Sequence, residues 1–436
     1  MTSDPASTNF LNWFTSIPGA SISPKCALTT IPGRGRCMVA TTDIDEDETL
    51  VSIPRNIIFS VEKSPLHNIM GEQLDAMGPW QSLILCMIYE TRPGADWAPY
   101  FGVLPLTRDQ ELDTLVYWQD EELEVLKGCE ILQRIGKDEA EAMFRDDVMP
   151  VIQRNRNLFE GTCIDFNMLE DSVIEWGHKM ASTIMAYSFD VQRPGAADAD
   201  MAMDDDEDID DVEEPDPGNA FKGMVPIADM LNADIDNNCF IVQTNTHLEV
   251  MSVSPIRKGD ELLNDYGSMP QAELLRRYGY ITPNYAQFDV VDLNHKIIVK
   301  AISRHAPPEV VEGMDQKVDF LLDTEVLEDI YDLDRDFKPP SELYVAIKIL
   351  SLPTQEFLQL KAEDKLPEST SSSEKKEYKR ILAKVIAARL EEYHPDETLE
   401  SLNLPANEKS RRRMEMAREV VRGEKEVLRD LLSKLH

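Results

Sequence analysis

An α+β fold followed by a separate all-helical region is what this sequence predicts, and three observations carry that expectation. Short β-favouring runs at 37–40 and 49–53 stand near the start, and two more at 239–242 and 248–253 follow residue 220. Between them, from residue 64 to about 190, apolar residues recur three and four apart, as on helices. Beyond residue 305 the periodicity is almost wholly helical, with breaks at Pro339-Pro340, Pro353 and a serine run at 369–373.

Taken in order, residues 9–16 form a short amphipathic helix with Phe10, Leu11, Trp13 and Phe14 on its apolar side. The runs 37–40 and 49–53, separated by an acidic turn, are expected to pair as a hairpin. Ahead of the first stands Gly33-Arg34-Gly35, which lacks the third glycine and following helix of a dinucleotide fingerprint. Residues 81–89, 119–134, 138–153 and 168–188 are expected helices. The rigid aromatic segment 97–105, WAPYFGVLP, reads either as a packing cluster or as a binding loop. Residues 239–242 and 248–253 pair around Asn245-Thr246, and 255–260 is a turn leading to Asn264-Asp265-Tyr266-Gly267. A short helix at 271–278 precedes a second Tyr-Gly, Tyr278-Gly279. Residues 288–293 and 297–301 are expected as a last hairpin, and 310–331, 341–350, 375–393 and 407–435 as helices. No fixed repeat length emerges, which excludes a solenoid.

Charge narrows the choice of partners. The 436 residues hold 81 acidic and 44 basic side chains, a net charge of −37. Such a chain repels phosphate, so direct nucleic-acid binding is not expected, whereas a basic protein is a matching partner. Twelve of the acids fall in 198–216 with no Lys or Arg among them, a run that must stay solvated. The rest of the chain is still strongly acidic. Six cysteines lie too far apart for a paired metal-ligand motif or a disulfide framework, so no metal is expected and a reducing compartment suits them. No basic-then-apolar leader and no apolar run of ~20 residues is visible, so a soluble protein of the nucleus or cytoplasm, away from membranes, is expected.

The order of the motifs is more specific than any one of them. GRG at 33–35, WAPYFGVLP at 97–105, PIADMLN at 226–232, a hairpin, GDELLNDYG at 259–267 and RRYGYI at 276–281 together resemble a SET-domain lysine methyltransferase. They are most similar to the branch typified by the Rubisco large-subunit methyltransferase. Within it, MAYSFDV at 185–191 and DMLNAD at 229–234 resemble the fungal enzymes that methylate ribosomal proteins. The resemblance implies a β-rich SET domain with a pseudoknot-like core, split into residues 1–62 and 221–302 by a helical insertion at 63–220. A helical substrate-binding domain at 303–436 follows. It further implies S-adenosylmethionine as cofactor, no metal, and a ribosomal protein as the basic partner.

Site roles follow from the same resemblance. Gly33, Arg34 and Gly35 would cradle the cofactor, Asn232 would hold it through its amide, and Tyr187 stands where some relatives place an arginine near it. Tyr266 matches the catalytic tyrosine, in contact with both cofactor and amine, and Tyr280 the aromatic wall of the lysine channel. Asp229 would brace its own turn. The chemistry asks for such groups. A free lysine has a pKa near ~10.4, so only about one in 2,500 is neutral and nucleophilic at pH 7. An aromatic channel desolvates the amine, and a placed hydroxyl orients it. One departure stands out: the family's usual Asn-His pair is Asn232-Ala233 here. That change and the acidity leave open a non-enzymatic acidic adaptor or chaperone that keeps the fold, and the resemblance also leaves open a histidine methyltransferase, since the branch includes such enzymes.

Overall fold

The computed structural model describes residues 4–31, 34–107, 112–195, 219–304, 306–363, 366, 372–402 and 405–435. Gly33 of the glycine turn and the acidic run 198–216 lie outside the described residues. The chain groups into two units. One holds Met1–Tyr117, Gly136–Met269 and Leu274–Asn284; the other holds Trp118–Ile135, Pro270–Glu273 and Tyr285–His436.

Among the described residues ten strands organise the first unit: β1 (Ser21–Ile22), β2 (Cys26–Ile31), β3 (Gly35–Ala40), β4 (Thr49–Pro54), β5 (Ser188–Gln192), β6 (Ala220–Met224), β7 (Asn232–Ala233), β8 (Cys239–Gln243), β9 (His247–Ser252) and β10 (Leu263–Asn264). One antiparallel sheet runs β1-β4-β9-β8, and β2-β3, β5-β6 and β7-β10 form separate pairs. The hairpin expected between 37–40 and 49–53 does not form. β3 instead pairs with β2, from Ile31 opposite Gly35 to Cys26 opposite Ala40. β4 pairs with β1 and β9. Leu50, Val51, Ile53 and Pro54 of β4 are all covered, so side chains on both its faces are buried, and with partners along both edges it is a central strand. The expected β8–β9 hairpin is present, with Ile241 opposite Val250.

Helices cover this framework. Pro79–Glu90 is buried at every position from Ser82 onward, and Leu169–Tyr187 buries Val173, Trp176, Met180 and Ile184 at helical spacing. The aromatic segment is a packing cluster. Trp97 and Phe101 each meet Phe59 edge-on at 5.2 Å, and Tyr100 lies 5.8 Å from Phe10 of the first helix, Pro5–Thr15.

The second unit is mainly helical, with Met314–Asp323, Ser341–Ser351, Ser372–Leu390 and Glu408–Leu435 as its longer helices. Three expectations fail in it. Residues 297–301 are not a strand but part of the helix His295–Ser303, whose first turn is capped by Asn294 Oδ1 accepting from the Lys296 amide at 2.9 Å. Ile297, Ile298, Ala301 and Ile302 are buried at helical spacing, which overrides their β-branched preference. The single helix expected over 310–331 is broken into Pro308–Val311 and Met314–Asp323. It ends in β12 (Ile330–Leu333), which pairs antiparallel with β11 (Val291–Asn294). The stretch 119–134 is a series of short turns rather than one helix.

Candidate active site

The two motif segments of the first unit lie side by side. β7 and β10 are parallel, with Asn232 opposite Leu263 and Ala233 opposite Asn264. Two residues a strand is too few to hold a pair, and side chains supply the rest. Asn238 Oδ1 accepts from the Leu263 amide and its Nδ2 donates to the Glu261 carbonyl, each at 2.8 Å. Asn284 Nδ2 donates to Asp234 Oδ1 at 2.7 Å, and the Asp234 amide donates to the Asn264 carbonyl. Ala233, where the resemblance leads one to expect histidine, is wholly buried between these contacts.

At one end of the pair stand the glycine turn and Asn232. Gly35 has φ +74° and nothing within 4 Å of where a Cβ would lie. That is the backbone region glycine occupies without cost, facing open space. Asn232 Nδ2 donates to Glu261 Oε1 at 2.6 Å and reaches the Arg34 carbonyl at 3.4 Å. The Arg34 guanidinium is held by the same Glu261 carboxylate. Glu261, which follows the expected turn 255–260, is 8% exposed and gathers both residues. Its signal in the sequence is its place between Asp260 and two leucines, where one face must turn inward. An isolated bridge of Glu261 with Val39 does this.

Three tyrosines stand close to the same pair. Tyr266 Oη donates to the Leu231 carbonyl at 3.1 Å, one residue from Asn232. Its ring stacks on Tyr278 at 4.4 Å with the planes 19° apart. Tyr278 in turn meets Tyr280 at 6.3 Å, edge to face. The structure thus brings Tyr266 and Tyr280 together through Tyr278, a residue the sequence marks only as half of a Tyr-Gly pair. Burial pushes the Tyr278 hydroxyl up to about 12, so this ring is neutral.

Tyr187 ends the helix Leu169–Tyr187 and is half-buried near Asp229, and burial raises its hydroxyl to about 12. Asp229 accepts a hydrogen bond from Tyr100 Oη. Burial drives its carboxyl well above the usual range, and the hydrogen bond from Tyr100 braces the turn. The turn is strained: Ile227 has φ +73° and ψ −46°, the conformation of a γ-turn that β-branched residues rarely adopt. Among the described residues no group of three or more His, Cys, Asp or Glu is placed to hold a metal ion. Five of the six cysteines are buried as free thiols. No described helix is long and apolar enough to cross a membrane.

The arrangement can take a polar ligand between Gly35 and Asn232 and an amine against the tyrosines. Comparison with known proteins finds two domain families along the chain. The SET domain family matches residues 35–267, and the family described as Rubisco LSMT substrate-binding matches residues 311–428. The chain is 30% identical to Ribosomal lysine N-methyltransferase 4 of Saccharomyces cerevisiae over 79% of its own length and 71% of that protein. It is 27% identical to N-lysine methyltransferase SETD6 of Rattus norvegicus over 82% of this chain and 72% of that one. Among solved structures, the SET domain of LSMT bound to lysine and AdoHcy superposes with a TM-score of 0.65 at 20% identity, covering 99% of this chain and 91% of that one. Rubisco LSMT bound to AdoMet does so with a TM-score of 0.65 at 18% identity, covering 99% and 92%.

Proposed function

This chain belongs to the SET-domain family of protein-lysine N-methyltransferases, and on that premise we propose that it methylates a lysine of a ribosomal protein using S-adenosylmethionine. The observation that carries the substrate class is the 30% identity to the yeast ribosomal lysine methyltransferase across four-fifths of the chain. A net charge of −37 supports it, since ribosomal proteins are basic. A ribosomal substrate also agrees with residence in the nucleus or cytoplasm.

The residues present fit the cofactor. Gly35 leaves open a space that a Cβ would narrow, and Asn232 beside it offers a polar amide. Arg34, Gly35, Asn232 and Tyr187 are the described residues assigned to hold it, together with Gly33. Bound S-adenosylmethionine supplies an electrophilic methyl group on a positively charged sulfur. The chain's own residues prepare the lysine. Tyr278 and Tyr280 wall the amine from water, which disfavours its charged form and raises the neutral fraction that can act as nucleophile. Tyr266 Oη donates a hydrogen bond to the Leu231 carbonyl, which fixes the hydroxyl so that its oxygen can accept from the amine N–H and aim the nitrogen lone pair.

The test is incubation with radiolabelled S-adenosylmethionine and a ribosomal-protein fraction. The wild type should label one band, and Tyr266→Phe should lower the rate by about 10² to 10³. Loss of the Leu231 hydrogen bond should cost only about 1 kcal/mol of stability. Equal labelling by both proteins overturns the assignment of Tyr266. Mass spectrometry of the labelled band then identifies the residue, and methyl-histidine there overturns the lysine reading.

A further inference from the structure

Glu261 is the only carboxylate in the hydrogen bonds described around Asn232, and it has no part in the chemistry above. It is nine-tenths buried, it accepts from Asn232 Nδ2 at 2.6 Å, and it holds the Arg34 guanidinium. From this we infer that Glu261 is a positioning residue that fixes the amide of Asn232 in one orientation, so that Asn232 offers the cofactor an acceptor alone and selects the ammonium of its amino-acid end. The inference rests on the S-adenosylmethionine reading given above.

The argument is one of donors and acceptors. An amide side chain can turn over, exchanging its oxygen for its nitrogen at almost no steric cost. A carboxylate paired with a guanidinium only accepts, and Glu261 holds that of Arg34. The Asn232 nitrogen must therefore face Glu261, and the Arg34 carbonyl, at 3.4 Å from the same nitrogen, favours the same orientation. Asn232 Oδ1 is left as the atom for a ligand. An oxygen cannot bind the ligand's carboxylate, which also only accepts, but it can bind an ammonium, which has three donors. The surroundings agree. The Arg34 carbonyl and the Glu261 carboxylate are both negative ends, beside the glycine turn that leaves room for the ligand's backbone-like end.

The substitution Glu261→Gln separates orientation from shape. The amide it introduces can accept from or donate to Asn232, so either orientation of Asn232 becomes possible, and the Arg34 ion pair is lost. The experiment is calorimetric titration of wild type and Glu261→Gln with two ligands. S-adenosylhomocysteine carries the amino-acid end, and 5′-methylthioadenosine lacks it. For Glu261→Gln the Kd of S-adenosylhomocysteine should rise about tenfold or more, the scale of one charge-assisted hydrogen bond, while the Kd of 5′-methylthioadenosine changes less than about twofold. Glu261→Asp, which keeps an acceptor-only group, should restore part of the loss. Equal weakening for both ligands means that Glu261 merely supports the fold, and no weakening for either means that Asn232 is not set by it; each overturns the inference. If the wild type binds neither ligand, the cofactor reading itself fails, and that result is distinct from the other two.

Discussion

Gly279, between Tyr278 and Tyr280, has φ +74°, and a Cβ there would meet backbone atoms of Asp113 at 2.7 and 2.9 Å and of Thr114 at 2.8 Å. Backbone cannot yield as a side-chain tip can. Gly279→Ala should destabilise the chain by more than about 2 kcal/mol, from the left-handed backbone and the clash together. Because the flanking tyrosines would shift with it, methylation should fall as well. Urea unfolding checks this, and a midpoint within error of wild type would show that the close approach is absent. Asn232 and Tyr266 were legible as residues because each sits in a recognisable string. The contacts of Tyr278 and Glu261 were not, even though the leucines after Glu261 hint at its burial, and the reason is physical. What each touches is set by chain segments far away: the 113–114 backbone presses the Tyr278–Tyr280 turn into place, and the Val39 bridge turns Glu261 inward. Neither partner is encoded near the residue itself.

Among elements, β8 and β9 could be read from the sequence, since alternation and a polar turn settle a local hairpin. β4 could not be assigned its neighbours, because a strand covered on both faces carries no sign of which strands cover it. Charge inside helices was equally hidden. Heptad-like spacing puts Glu424 of Glu408–Leu435 on an apolar face, yet acids there are usually read as solvated. In the second unit Glu424 accepts from Tyr393 Oη at 2.6 Å, with Arg389, Cys129 and Asp292 around it. Burial raises its carboxyl from 4.5 to about 7. Asp289, accepting from Gln271, is raised likewise to about 6. Between the unfolded and folded values the folded chain binds more protons than the unfolded one. Their contribution is therefore fully present below the unfolded values and is lost as pH rises through the folded ones. Wild type should lose thermal stability between pH 5 and 7.5, and Glu424→Gln should lose less over that window, by up to roughly 3 kcal/mol. Melting curves for the pair at several pH values check it; parallel pH profiles would show that Glu424 is ionised throughout.

Across the whole molecule the dominant quantity is charge, 81 acids against 44 bases. Many of the bases sit beside acids, as in Arg335 with Asp430, Arg429 with Asp396 and Arg145 with Glu170. Surface pairs of this kind stabilise by only about 0–1 kcal/mol each, so they cannot be the reason for so many acids. The unpaired surplus repels itself, which works against folding, and it attracts a basic partner from a distance. The second effect has a signature in rate. The field extends about 10 Å at 0.1 M salt and about 3 Å at 1 M, so steering fades as salt rises, while contacts at the tyrosines do not. With a ribosomal protein as substrate, kcat/KM should fall about tenfold between 50 and 500 mM salt, and kcat at saturation should change little. A short peptide bearing the same lysine between neutral residues should show a nearly flat profile. A flat profile for the full basic protein as well would mean that the acidic surface plays no part in encounter, and that its reason lies elsewhere than in the substrate.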